Sequence, residues 1–260
     1  MAFMRNRLII LIAAVFASLV ALADSPLKVL SDSAYSRYIR HDIEAWKPIV
    51  DGLHDANPIN SIDSLDFLLS LEYGYVAWCV SDTACPQPEK ALDDAITDLE
   101  NFQKAIKSVP DKTVTRRVLE SKARSYYSAL LAYQMKLNTV RAIINGWRCV
   151  NNAKSAVTAS PDCWFSQLEY GNVMHYMPLV LGGSKINARK AYKSAIKIMD
   201  DSGENEKNWL YLHALLCLAD CYKLDKDFNN VQSCYDRILT VEPDFALVRD
   251  SLAPSLARQK

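Results

Sequence analysis

The 260-residue chain is short of the residues that interrupt helices: glycine occurs seven times and proline ten. Alternation of apolar and polar residues is hard to find, which argues against a β-rich fold. Neither sign of charge dominates, with 30 basic and 30 acidic residues. No basic stripe of the kind that binds nucleic acid is present. Histidine is limited to His41, His54, His175 and His213, and no cysteine precedes Cys79. A nucleophile elbow, a phosphate loop, a zinc-protease motif and a haem-attachment C-x-x-C-H are all missing. Nothing therefore nominates a catalytic residue or a cofactor, and the expectation is a protein that is not an enzyme.

One long apolar run exists, Leu8 to Ala23. Arg5 and Arg7 precede it, and Ala21-Leu22-Ala23 closes it as an A-x-A box before the chain turns polar. This three-part pattern predicts a secretory signal peptide over residues 1–23. The alternative, a membrane anchor, needs about 20 apolar residues, and this run is shorter. No later apolar segment is long enough to span a bilayer. The mature chain would comprise residues 24–260. Without Arg5 and Arg7 it carries 28 basic and 30 acidic residues, a formal charge of −2. The expected location is periplasmic or secreted.

Export places seven cysteines in an oxidising compartment, which favours disulfides. The count is odd, so one thiol at least is free or pairs between chains. Cys79 with Cys85 and Cys149 with Cys163 are the near pairs in sequence. The other reading treats most of the seven as small buried hydrophobes.

Helical spacing is present nearly everywhere. In "EKALDDAITDLENFQKAIKSV", Ala91, Leu92, Ala95, Ile96, Leu99, Phe102, Ala105, Ile106 and Val109 fall on one helical face. "TVTRRVLESKARSYYSALLAYQMKL" and "ARKAYKSAIKIM" behave alike. Breaks fall near Asn57-Pro58, Cys85 to Pro88, Val109-Pro110, Ser160-Pro161, Gly182-Gly183, Asp201 to Glu204 and Glu242-Pro243. The pattern predicts an all-α fold of about ten helices with short connections.

Repetition distinguishes a solenoid from a bundle. Counting back from Pro243, Ile238, Tyr235 and Val231 precede it on one helix. Tyr222, Ala219, Leu218 and Leu215 precede those on another. This segment, 212–245, resembles the tetratricopeptide repeat, whose helix pair combines small and aromatic residues and closes on proline. Val231 and Ile238 depart from the small residues that family prefers. A second unit supplies Ala188, Tyr192 and Ala195 at the small-aromatic-small spacing, with "CWFSQLEYGNVMHYMPLVL" as its partner helix. The clearest units are 164–200 and 205–257. Residues 24–160 are read as degenerate repeats or a helical cap in the same single domain. "LEYG" occurs at Leu71–Gly74 and again at Leu168–Gly171, from either an old duplication or chance.

The resemblance makes the aromatics and cysteines of 218–245 core rather than a reactive centre. His213, Cys217 and Cys221 share one helical face, yet residues eight apart lie about 12 Å apart along the axis, too far for one zinc ion. A disulfide from Cys234 or simple packing are the competing readings. "MHYM" at 174–177 spreads its side chains around a helix and reads as filler rather than a copper site. Asp93, Asp94, Asp98 and Glu100 read as a solvated helix face, not catalytic carboxylates.

The resemblance implies a concave groove lined by the first helix of each pair. It places His213, Leu216, Asp220, Lys223 and Leu224 there, facing a peptide or helix of a partner protein. The expected function is a non-enzymatic interaction scaffold of the bacterial cell envelope. The alternative is a periplasmic small-molecule carrier or accessory subunit of an uptake system, with Trp46, Trp78, Trp147, Trp164 and Trp209 supplying an apolar pocket. Asp220→Ala or Lys223→Ala is expected to weaken a partner without unfolding the domain. A melting-temperature fall of several degrees would show that these side chains serve stability instead.

Overall fold

The computed structural model describes residues 26–55, 61–82, 84–138, 140 and 142–258. The expected signal peptide, 1–23, and the Asn57-Pro58 break lie outside the described residues. Helices run α1 Pro26–Ile39, α2 Lys47–Asp55, α3 Ile62–Cys79, α4 Pro88–Ile106, α5 Val114–Leu137 and α6 Ala142–Ala159. They continue as α7 Trp164–Tyr176, α8 Lys185–Ser202, α9 Trp209–Leu224, α10 Phe228–Val241 and a short α11, Ala253–Ala257. No strand occurs among the described residues.

Local chemistry sets the helix ends. Ser61, Thr113, Ser184, Asn208 and Asp227 each accept a backbone N–H from the first turn that follows them, satisfying a donor that the helix itself leaves open. Pro88 opens α4, where its missing N–H costs nothing. Gly203 closes α8 in the left-handed region at φ 73°. Two boundaries differ from expectation. The segment read as one helix through Leu181 stops at Tyr176, because Pro178 biases Met177 toward extended backbone, observed at ψ 137°. A further break at Asn138 carries no glycine or proline to announce it.

The helices pack in adjacent pairs, α3 with α4, α5 with α6, α7 with α8 and α9 with α10. The first helix of each pair also touches the first helix of the next. This all-α arrangement is consistent with an α-solenoid. Small residues let α5, α6 and α7 approach closely. Ser121 donates to the Ala156 carbonyl at 2.7 Å, and its hydroxyl meets that of Ser166 at 2.6 Å. Ser128 donates to the Cys149 carbonyl at 3.0 Å.

The N-terminal helix closes the array. α1 packs on both α3 and α9. Tyr35 donates to Glu242 at 3.0 Å, and the Trp46 indole donates to the Ala34 carbonyl at 2.9 Å. Trp46 is fully buried against Trp209, with ring centroids 5.0 Å apart. The positions assigned to packing by the repeat pattern are buried: Ala188, Tyr192, Ala195, Ala219, Tyr222, Val231, Tyr235 and Ile238.

Gly171 sits where α7 meets α8, and a Cβ there would lie 2.6 Å from the Tyr192 ring. Tyr192 is buried and its hydroxyl is held by Asn172 at 2.8 Å, so the ring has little room to yield. Gly171→Ala is expected to lower stability by about 1–3 kcal/mol through overpacking, despite the helix propensity it gains. Gly52→Ala in α2, with no atom within 4 Å of the added carbon, should instead raise it by about 0.5–1 kcal/mol. Paired urea melts of the two variants check both signs.

Candidate functional site

The five residues assigned to the groove divide between interior and surface. His213 and Leu216 are half-buried. Leu216 packs against the core, and the His213 ring stands beside Trp209. Loss of hydration pushes His213 down to about 4. Asp220, Lys223 and Leu224 are exposed. Tyr176 is also exposed. The aromatic contacts of α1 and the segment after it, through Tyr38 and Trp46, occupy the ground next to Trp209.

The His213–Cys217–Cys221 face separates into two contacts. Cys217 lies 3.4 Å from His213, while Cys221 lies 3.2 Å from His175 on α7. Burial pushes both thiols up, Cys221 to about 11, which disfavours the thiolates that a soft metal needs. Cys79 and Cys85 form a disulfide, whereas Cys149, Cys163, Cys217, Cys221 and Cys234 are free and buried.

Two buried glutamates lie at the same place in the repeated LEYG. Glu169 of α7, 2 % exposed, accepts a hydrogen bond from the Tyr73 hydroxyl at 2.9 Å. Asn172, which accepts from Tyr192, also meets the Tyr73 hydroxyl, so one polar chain joins α3, α7 and α8. Burial lifts Glu169 to about 8.

Glu72 of α3 is equally buried, and neither of its side-chain oxygens has a hydrogen-bond partner. His54 of α2 and Asp98 of α4 complete a cluster around it. His54 Nε2 lies 2.8 Å from Asp98 Oδ2 and 3.5 Å from Glu72 Oε1. The single hydrogen on that nitrogen serves Asp98 first and leaves Glu72 without a bond. Burial pushes Glu72 up, and the bond to Asp98 pushes His54 up. A cavity of about 210 Å³ opens beside the cluster, lined by His54, Glu72, Tyr75, Cys85, Pro86 and Lys90 among others.

Asp98 corrects the reading of its helix as a solvated acidic face. Asp93 and Glu100 are exposed, but Asp98 turns inward to His54. The periodicity placed Leu99 and Ala95 inside, and Asp98 shares their edge of α4. His54 and Glu72 were missed because three helices supply the cluster and no fixed spacing marks it. One signal was available: Glu72 is the single charged residue between Phe67 and Val80.

No family model matches the chain, and no curated protein matches its sequence.

Glu169 sets a pH dependence. In the folded chain it holds its proton to about pH 8, against an ordinary value of 4.5, so between these limits the folded state binds more protons than the unfolded state. Stability therefore falls as pH rises through that window, by up to about 1.4 kcal/mol per pH unit for one such group. Glu169→Gln should flatten the slope and raise stability at pH 8 relative to the parent. Urea midpoints at pH 5, 6.5 and 8 measure it.

Proposed function

We propose that the chain is a non-enzymatic interaction scaffold of the cell envelope, exported by residues 1–23 and built on tetratricopeptide-like helix pairs. The observation that carries this reading is a group of large apolar side chains left in solvent at one edge of the array. Ile144 and Trp147 stand one turn apart on α6, and Trp147 is 51 % exposed. The same helix meets the turn Leu179–Leu181 through Gly146 and Leu181, where Leu179 and Val180 are each 83 % exposed. Tyr176, at the end of α7 just before this turn, is 69 % exposed.

Exposed apolar groups gathered in one place mark interaction surfaces, and an indole among them is a favoured anchor. α6 carries Arg148 and Lys154 and no acidic residue. The occupant is therefore an amphipathic helix of a partner protein, its apolar face on Trp147 and its flanks acidic. The exposed Asp220, Lys223 and Leu224 of α9 are assigned to the same partner-binding role. The Cys79–Cys85 disulfide supports an exported location.

A second reading, a small-molecule carrier, draws on one observation. A cleft of about 400 Å³ is lined by Phe67, Tyr126, Trp164, Phe165 and Trp209 together with Asp66, Lys122 and Glu204. Lys122 pairs with Asp66 at 2.6 Å, which already satisfies its strongest polar groups. Native mass spectrometry that finds a retained small molecule favours this carrier.

The scaffold reading is tested by capture from the envelope fraction. Trp147→Asp should reduce recovery of the partner at least tenfold while shifting the melting temperature by no more than a degree or two, as expected of an exposed position. Equal recovery by parent and variant overturns the assignment of this face.

A further inference from the structure

We propose that His54, Glu72 and Asp98 form a binding site for a first-row divalent cation, with Zn²⁺ held more tightly than Mn²⁺. The site is separate from the apolar face of α6, and its fate does not depend on the scaffold reading.

The argument begins with an imbalance of partners. Two carboxylates on neighbouring helices converge on one imidazole nitrogen, which carries one hydrogen at most. Asp98 takes it at 2.8 Å. Glu72, 2 % exposed, is left with both oxygens unpartnered. A buried ionised carboxylate without a partner is costly enough that folded proteins pair it, protonate it or give it to a metal. The nearby lysines are committed elsewhere. Lys47 pairs with Asp51 at 2.6 Å and Lys90 with Asp94 at 2.5 Å, each one turn along its own helix.

Geometry and charge then select the ligand. The donor atoms all lie within 4.8 Å of one another. A tetrahedral ion bound at about 2.1 Å from each donor sets donors about 3.4 Å apart. The spacings from His54, 2.8 and 3.5 Å, fall on either side of that value. A cation that displaces the protons of the cluster to solvent meets a neutral imidazole and two carboxylates, whose two negative charges a divalent ion cancels. One nitrogen with two oxygens suits zinc or manganese, whereas copper(I) wants sulfur and calcium wants six to eight oxygens. Zinc stands above manganese in the general order of affinity.

The supports are rigid. Each donor comes from a different helix, and the Cys79–Cys85 disulfide fixes the loop that forms the cavity rim, two turns along α3 from Glu72. The cavity beside the cluster, about 210 Å³, has room for several waters at about 30 Å³ each. One or more waters, or an anionic ligand from solution, complete the coordination.

The competing arrangement is a proton shared between Glu72 and Asp98. Titration calorimetry separates the two, using untagged protein treated with EDTA and then Zn²⁺, Mn²⁺, Mg²⁺ or Ca²⁺ alone. The expected result is one equivalent of Zn²⁺ bound, weaker Mn²⁺ binding, and a rise in melting temperature of at least 5 °C at saturating Zn²⁺. Glu72→Gln and His54→Gln should each lose at least tenfold in Zn²⁺ affinity. Circular dichroism of the metal-free variants confirms that each is folded, and Glu72→Gln without metal should melt at or above the parent. Absence of Zn²⁺ binding by the parent overturns the site and leaves the shared proton as the explanation. Zn²⁺ binding that both variants retain overturns it equally, since the ion would then sit elsewhere.

Discussion

The ring of Tyr73 contacts Tyr126 and Tyr133 on α5, Phe165 on α7 and Trp209 on α9, with centroids between 5.3 and 6.5 Å. Its hydroxyl reaches Glu169, and its carbonyl accepts from the Tyr133 hydroxyl at 2.9 Å. One side chain on α3 thus meets the first helix of every later pair. Edge-to-face ring contacts favour particular orientations as well as burial, so they fix the angle at which successive pairs follow. In a solenoid each unit ordinarily touches only its neighbours. Here an aromatic seam joins units that are not adjacent in sequence, and the array behaves as one core.

That seam explains the position of the N-terminal segment. A row of aromatics on the inner side of an open array would expose a large apolar surface. Residues 26–46 cover it: Tyr38 packs on Trp209 and Phe245, and Trp46 lies against Trp209. Gly74 makes the approach possible, since a Cβ there would meet the Trp46 ring at 2.5 Å. Hydrogen bonds from Tyr35 and Trp46 tie the segment to the C-terminal end and to itself. The surface that a tetratricopeptide-like array would offer a peptide is therefore partly occupied by the chain's own first helix. Among the exposed large apolar groups, Ile144 and Trp147 on α6 and Leu179 and Val180 in the turn after α7 lie away from this segment in sequence.

The sequence carried the fold because helical periodicity and capping act locally. Leu92, Ala95, Leu99, Phe102 and Ile106 are buried as their spacing requires, and the repeat pattern of 188–238 identifies core positions correctly. What escaped the reading depends on contacts between distant residues. The end of α7 at Tyr176 is local in cause, but the apolar run after it, Met177 to Leu181, hid the effect of Pro178. Asp98 illustrates the deeper limit. Its neighbours Asp93, Asp94 and Glu100 lie on the same helix, and only the arrival of His54 from α2 gives it a different environment. Of the groove residues, His213 and Leu216 turn inward because α9 is buried on most of its circumference, a fact that its apolar composition, "WLYLHALLCLADCYKL", already suggested.

The two LEYG segments separate what a short sequence determines from what it does not. Both glutamates are buried to the same degree, and both glycines admit an aromatic ring at van der Waals range or closer. The tetrapeptide thus sets burial and close packing alike in α3 and α7. It does not set the partner. Glu169 meets a tyrosine hydroxyl supplied by the other LEYG, and its polar chain ends in satisfied groups on α8. Glu72 meets a second carboxylate across a helix pair and an imidazole with one hydrogen to give. Identical local sequence produces a closed structural network in one hairpin and an open one, with a carboxylate left unbonded, in the other. The difference lies in the residues across the interface, and it is the open network that borders a cavity.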